Sequence, residues 1–273
     1  MSLFIILLVI YLIILIIGHT LVTKQLSKRR YWQSVAEPLV PCAFQKSGNY
    51  LKVKEIHGQT NQSPIGYVAF SLFGNYKKYS PTLYKNLECI PRLMPGWRCR
   101  VYVGIDVSST VLNEILRLNG EVHIMDGISK NFEGATWRFL PAQEDVVFIT
   151  RDADDVFNFK DAENVVAWCA SGKRFFLASC KSLLPMQAGL WGGRNKCVPD
   201  MWERLDRHCT FPFGFDEHFL RQEIYPLVEK AGYYEVSNIS YRLLLNILFF
   251  ALFIFVFASL AMAYRASYAR YPM

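Results

Sequence analysis

Two uninterrupted apolar runs bracket the chain. Residues 3–22 and 243–264 contain no Asp, Glu, Lys or Arg, and each is long enough to cross a bilayer as a helix. Between them the pattern changes to short apolar blocks separated by polar turns. Residues 66–73 (GYVAFSLF) form the first block and read as a core strand. Ser80 and Pro81 then supply a cap and a first helical position, which predicts a helix over residues 82–92. Residues 100–105 predict a second strand. Residues 111–118, apolar at 111, 112, 115 and 116, predict a second helix closed by Gly120, and residues 121–125 a third strand. Strand–helix–strand–helix–strand at this spacing predicts an α/β domain whose sheet is mostly parallel and flanked by helices.

The second half continues the alternation less regularly. Residues 134–141 read as a short helix with Trp137 and Phe139 in the core. Residues 146–149 read as a buried strand that runs into Arg151-Asp152-Ala153-Asp154-Asp155. A helix is expected over 159–170, closed by Gly172, then a strand at 175–178. The glycine-rich stretch 184–194 surrounds Trp191, Pro199 opens a helix reaching 207, and Asp216 opens a helix over 217–230. Residues 31–63 mix Pro, Gln, Ser, Asn and Gly and read as a stalk. The expected organisation is an anchor at 1–23, a juxtamembrane stalk at 24–65, a catalytic domain at 66–235, a second transmembrane helix at 243–264 and a tail at 265–273.

Charge adds location. All 23 acidic residues lie between the two apolar runs; of the 30 basic ones Arg242, Arg265 and Arg270 flank the second run, and the other 27 leave the soluble part a balance of only +4. That is not the footprint of a nucleic-acid-binding protein. Lys24, Lys28, Arg29 and Arg30 follow the first run at once. By the positive-inside rule they place the domain of a two-pass membrane protein on the cytosolic side. Arg265 and Arg270 argue the other way, so an ER or Golgi lumenal domain is the alternative. The seven cysteines show no zinc-like spacing.

The candidate chemistry gathers where strands end. In open α/β sheets ligands bind beyond the carboxyl ends of the strands. Ser71, Phe73 and Tyr76 close the first core strand. Asp152 and Asp154 follow the fourth, and in extended chain they would project to one side. Paired carboxylates there make a hard oxygen site for Mg²⁺ or Mn²⁺; the plainer alternative is a solvated acidic turn. Asp155 falls on the opposite side and is expected to be dispensable. Arg138 suits a diphosphate, with a salt bridge to one of the acids as its structural alternative. The glycines around Trp191 allow close backbone approach, and that ring could stack on a sugar or lie in the core. Asp216 and His218 add acid, base or ligand potential.

Five stretches in order resemble glycosyltransferases of the GT-A fold: Trp137-Arg-Phe139, Arg151-Asp-Ala-Asp154, Trp168-Cys-Ala-Ser-Gly172, Ala188-Gly-Leu-Trp-Gly-Gly193 and Asp216-Glu-His-Phe-Leu220. The resemblance covers about residues 66–231. It implies a GT-A-like sheet, a nucleotide-sugar donor, and Mn²⁺ or Mg²⁺ held through Asp152 and Asp154, with Asp152 also near the donor. It further implies that Asp216 and His218 are catalytic candidates, and that Ser71, Phe73, Tyr76, Arg138, Trp191, Gly192 and Arg194 border the donor. Asp155 departs from the pattern, which often has Ser there. Two membrane runs suggest a glycan or lipid-linked acceptor. Two other readings remain: a phosphatase using Asp152 as a phosphoryl-accepting nucleophile within D-x-D-x-V, and a membrane-tethered sugar- or nucleotide-binding protein without turnover.

Overall fold

The computed structural model describes residues 51–126, 132–178, 186–208, 213–236 and 258–259. The chain divides into two compact units, Pro38–Val236 and the pair Met1–Glu37 with Ser237–Met273. Apart from Ala258 and Ser259, the two apolar runs expected to cross a membrane lie outside the described residues. Among the described residues no helix is long and apolar enough to cross a membrane.

The larger unit is a mixed α/β domain on an eight-stranded sheet. Its strands are β1 (Val53–His57), β2 (Gly66–Leu72), β3 (Trp97–Val103), β4 (Glu121–Met125), β5 (Phe148–Thr150), β6 (Phe175–Leu177), β7 (Trp191–Gly193) and β8 (Tyr233–Glu235), in spatial order β1-β4-β3-β2-β5-β7-β6-β8. The neighbours β4, β3, β2 and β5 are mutually parallel, whereas β7 runs antiparallel between β5 and β6. Every residue of β2 and β3 is buried, as expected for central strands covered on both faces.

The two faces have separate cores. Val68, Phe70 and Leu72 point with Val101, Val103 and Ile149 toward α1 (Tyr76–Leu93), α2 (Ser109–Arg117) and α3 (Phe159–Ser171). The alternate residues Tyr67 and Ala69 face the other layer, because side chains alternate across a strand. That layer holds a 3₁₀ helix (Phe132–Gln143), α4 (Met201–Asp206), α5 (Phe215–Phe219) and α6 (Tyr225–Ala231).

Several elements differ from the expectation for local reasons. Helix α1 begins at Tyr76 and keeps Pro81 and Pro91 inside it. The carbonyl that Pro81 cannot serve belongs to exposed Lys77, where water can replace the missing donor. The Ser80 hydroxyl is no cap; it donates to the Tyr76 carbonyl at 2.6 Å. The stalk reading is corrected at residues 53–57, where β1 pairs antiparallel with β4. The long helix expected after Asp216 is α5, a π-helical turn (Leu220–Ile224) and α6. Pro226 stands at the start of α6 and has no N–H to continue an α ladder, so the wider turn falls just before it.

At the amino ends of β3 and β4 lies a buried ionic cluster. Glu121 accepts from Arg100 Nε at 2.7 Å and is paired with His123 Nε2 at 2.6 Å. The Tyr67 hydroxyl donates to its second oxygen at 3.3 Å, and Arg98 is 3.7 Å from the same oxygen. Arg100 also donates to Glu144 at 2.6 Å and lies over the Tyr67 ring. Burial opposes ionisation of Glu121, but the His123 hydrogen bond and the Arg100 charge outweigh it and hold its carboxyl below the usual range.

Candidate functional site

The strand order reverses between β2 and β5. From β2 the chain moves outward through β3 to β4, then returns to place β5 on the other side of β2. In open α/β sheets such a reversal opens a crevice at the carboxyl ends of the strands, and ligands bind there. Ser71 and Phe73 end β2, and Asp152 follows β5.

Arg138 is buried beside this reversal point. It is carried by the 3₁₀ helix, whose three-residue repeat sends Trp137, Arg138 and Phe139 in three directions. Trp137 and Phe139 are fully buried, as their apolar pattern predicts. The Arg138 backbone N–H donates to Ser71 Oγ at 3.1 Å, which ties the helix to β2. Its guanidinium donates through Nη1 to Asp152 Oδ1 and, at 3.2 Å, to the Arg151 carbonyl. Nη2 donates to Asp216 Oδ2 at 3.1 Å. Asp152 and Asp216, far apart in sequence, therefore meet on one buried cation. Burial disfavours that charge, but the two carboxylates raise the Arg138 pKa above its usual value. The ion-pair alternative for Arg138 is thus the one observed.

The acidic segment is a turn, not extended chain. Strand β5 stops at Thr150, and the Asp155 N–H donates to the Asp152 carbonyl at 3.3 Å. Asp152 and Asp154 are therefore not same-side strand positions: Asp152 is half-exposed on Arg138 and Asp154 is exposed. Fully buried Asn86 clamps the turn from α1, donating to the Asp155 carbonyl at 2.9 Å and accepting from the Phe157 N–H at 2.7 Å. Arg151, on the opposite side of the chain from Asp152, bonds Asp155 at 2.8 Å and Asp161 at 3.2 Å. Asp155 belongs to this clamp and turns away from Arg138.

The segment before β7 forms the far wall. Thr150 Oγ1 donates to the Ala188 carbonyl at 2.8 Å. Gly189 then passes so close to Asp152 that a methyl group there would displace the carboxylate. The Ala188 N–H donates to Glu217 Oε1 at 3.1 Å. Among the described residues, buried Glu217 Oε2 has no hydrogen-bond partner, and neither has Gln187 Oε1. Burial is the main reason that the Glu217 carboxyl is pushed up to about 7; the neighbouring charges of Asp216 and Asp152 add to it, against the Ala188 hydrogen bond and Arg138.

Sequence reasoning did not single out Glu217 or Gln187. Glu217 follows Asp216 in a helix's first turn, where acids are ordinarily solvated caps, and nothing local signals that it faces inward.

Other expected site residues have structural duties. Trp191 is fully buried, edge-on to Phe139 at 5.7 Å and Phe148 at 5.2 Å; it is a core side chain with no face left to stack on a sugar. A methyl on Gly192 would overlap the Phe148 carbonyl, so this glycine lets β7 fit between β5 and β6. Arg194 lies over the Trp168 ring and donates to the Trp168 and Cys169 carbonyls at the end of α3. It caps a helix instead of facing the crevice. Tyr76 packs half-buried at the start of α1. His218 pairs with Gln222 one turn on, and burial, then Arg221, lower its pKa. Phe73 lies edge-on to Trp137 at 5.8 Å.

Among the described residues no group of three or more His, Cys, Asp or Glu side chains could hold a metal ion alone. The chemistry of the acids fits a different arrangement. Mg²⁺ commonly takes one or two carboxylates and completes its shell with substrate phosphates and water. The exposed Asp154 and the half-exposed Asp152 carry hard oxygen atoms suited to such a shell. No protein-family model matches the chain, and comparison with curated proteins gives no match.

Proposed function

We propose that this chain is a divalent-cation-dependent glycosyltransferase with a GT-A-like domain, moving a sugar from a nucleotide diphosphate to a glycan or lipid-linked acceptor at a membrane. The observation that carries the reading is the convergence of Asp152 and Asp216 on Arg138 at the reversal point between β2 and β5. Asp152 and Asp216 meet on the Arg138 guanidinium at the place where α/β sheets bind ligands.

In this reading Asp154 and Asp152 hold Mn²⁺ or Mg²⁺ together with the donor diphosphate. The cation supplies charge neutralisation for the departing nucleotide. Arg138 fixes the positions of Asp152 and Asp216, and Ser71 and Phe73 border the donor from β2. Residues 3–22 and 243–264 supply the membrane attachment, with the domain cytosolic by the charge rule and lumenal as the alternative.

The test is calorimetric titration of the full chain in detergent with UDP, GDP, CDP and dTDP, with and without Mn²⁺. At least one nucleotide is expected to bind, about tenfold or more weakly without the metal or in Asp154→Ala, and its sugar conjugate is expected to be hydrolysed slowly. Failure of all four to bind with Mn²⁺ present would sink the proposal.

A further inference from the structure

We infer that the carboxyl end of the sheet docks on a phospholipid surface through Phe132 and Phe213, an assignment that rests on residues 3–22 and 243–264 being membrane attachments, as proposed above. Both chain connections meet the sheet at that end. Strand β1 is antiparallel to β4 and sets Val53 beside Met125, so the chain enters where β4 finishes. Strand β8 is parallel to β6, and β6 is separated from β5 by the antiparallel β7. Strand β8 therefore runs parallel to β5, and the chain leaves the sheet after Glu235 at the same end. β1 and β8 are the outermost strands, so entry and exit bracket the end that carries Asp152 and Asp216. Only residues 237–242 separate Val236 from the second apolar run. Fully extended, that stretch reaches about 25 Å. Turning the amino end to a bilayer would send it back along the sheet, about 23 Å for the seven residues of β2, and use up nearly all of its reach.

The same end supplies an apolar surface. The 3₁₀ helix connects the end of β4 to the start of β5, so it runs from the carboxyl end toward the amino end, and Phe132 at its start stands beyond Arg138. Phe213 lies three residues before Asp216. The two rings meet edge-on at 5.3 Å, yet Phe132 is 41% exposed and Phe213 86%. Neither belongs to the core on either face of the sheet. Ile105, just past β3, and Phe159, at the start of α3, add exposed apolar side chains at this end. Contiguous exposed aromatic surface marks a contact site, and a phenylalanine ring, with no hydrogen-bonding tip, suits the acyl boundary of a bilayer. The charges nearby are mixed, Lys77, Lys78 and Lys160 with Asp154 and Asp155, so the attraction is apolar and a zwitterionic lipid suffices.

The experiment reconstitutes the full chain into phosphatidylcholine vesicles, checks insertion by flotation, and compares Phe213→Trp, Phe132→Trp and Ile65→Trp after subtraction of the wild-type tryptophan emission. Ile65, 63% exposed just before β2, reports on the amino end. Phe213 is exposed enough to accept the larger ring, and Phe132→Trp is the second reporter should that variant fail to fold. Phosphatidylcholine brominated high on its acyl chains is expected to quench the Phe213→Trp emission about twofold or more, since interfacial aromatic residues lie at that depth. It is expected to quench Phe132→Trp likewise and to leave Ile65→Trp unchanged. Unquenched emission from both phenylalanine positions, in a chain that floats with the vesicles, overturns the docking surface and leaves the membrane attachment standing. Quenching at Ile65→Trp equal to that at Phe213→Trp also overturns it, because the domain then has no preferred end. A chain that does not float overturns both.

Discussion

The same parallel strands carry a buried ionic cluster at each end, and the two are composed differently. At the amino end, Glu121 and Glu144 face Arg98 and Arg100, with His123 and Tyr67 taking further positions on Glu121. Charges there balance, and both Glu121 oxygens are used. At the carboxyl end, one arginine serves Asp152 and Asp216 while Glu217 keeps an oxygen buried and unserved. A cluster that exists to hold a fold together closes on itself, because an unpaired buried charge is costly. The proposed function takes the looser carboxyl end, where Asp152 is half-exposed, as the working one.

The contrast makes opposite predictions for removing one acid at each end. The largest effect is expected from Glu121→Gln, which leaves Arg98, Arg100 and His123 without their shared carboxylate. Such disruption of a buried pair costs about 3–5 kcal/mol, read as a lower urea midpoint. A loss below about 1 kcal/mol would mean that the amino-end cluster is not closed in the sense argued here.

Glu217→Gln is expected to do the reverse. The carboxyl of Glu217 is raised to about 7 in the fold, against about 4.3 in an unfolded chain. Between those values the folded state holds the proton that the unfolded state has released. Its contribution is therefore intact below about pH 4 and is lost as pH rises through 7. Relative to wild type, the variant should be indistinguishable near pH 4 and more stable by up to about 4 kcal/mol above pH 8. Denaturation across that range checks it; a difference that does not grow with pH would place Glu217 in contact with water or a partner.

The smallest effect is expected from Asp155→Ala. Its pair with Arg151 is exposed on the acid side, and Arg151 retains Asp161. Loss of an exposed pair costs up to about 1 kcal/mol, and metal-dependent nucleotide affinity should stay within about twofold of wild type. If affinity fell as far as in Asp154→Ala, the division of the acidic turn into a clamp and a ligand-facing side would be wrong.

Much of the frame is legible in the residues. The blocks that became β2, α2, β4 and α3 follow from apolar periodicity and from stops such as Gly172, which adopts the left-handed conformation at the end of α3. Strands β1, β7 and β8 were not legible. Strand β1 is largely exposed, β7 is Trp-Gly-Gly, and β8 is three residues long; each is a strand only because a neighbour offers its edge. Arg138, Asp152 and Asp216 stood out as chemistry, yet whether they met depended on the sheet.

The sequence by itself determined an α/β domain with a mostly parallel core, acids after a central strand, and two charge-free runs at its ends. Those properties are set by residue type and spacing along a few neighbouring positions. Only the tertiary structure decided that Trp191 and Arg194 are structural, that the acids lie in a clamped turn, and that Glu217 turns inward. Each of these depends on which distant segment fills the space beside the side chain. Local pattern fixes how a segment folds, but burial and partnership are properties of the packed whole.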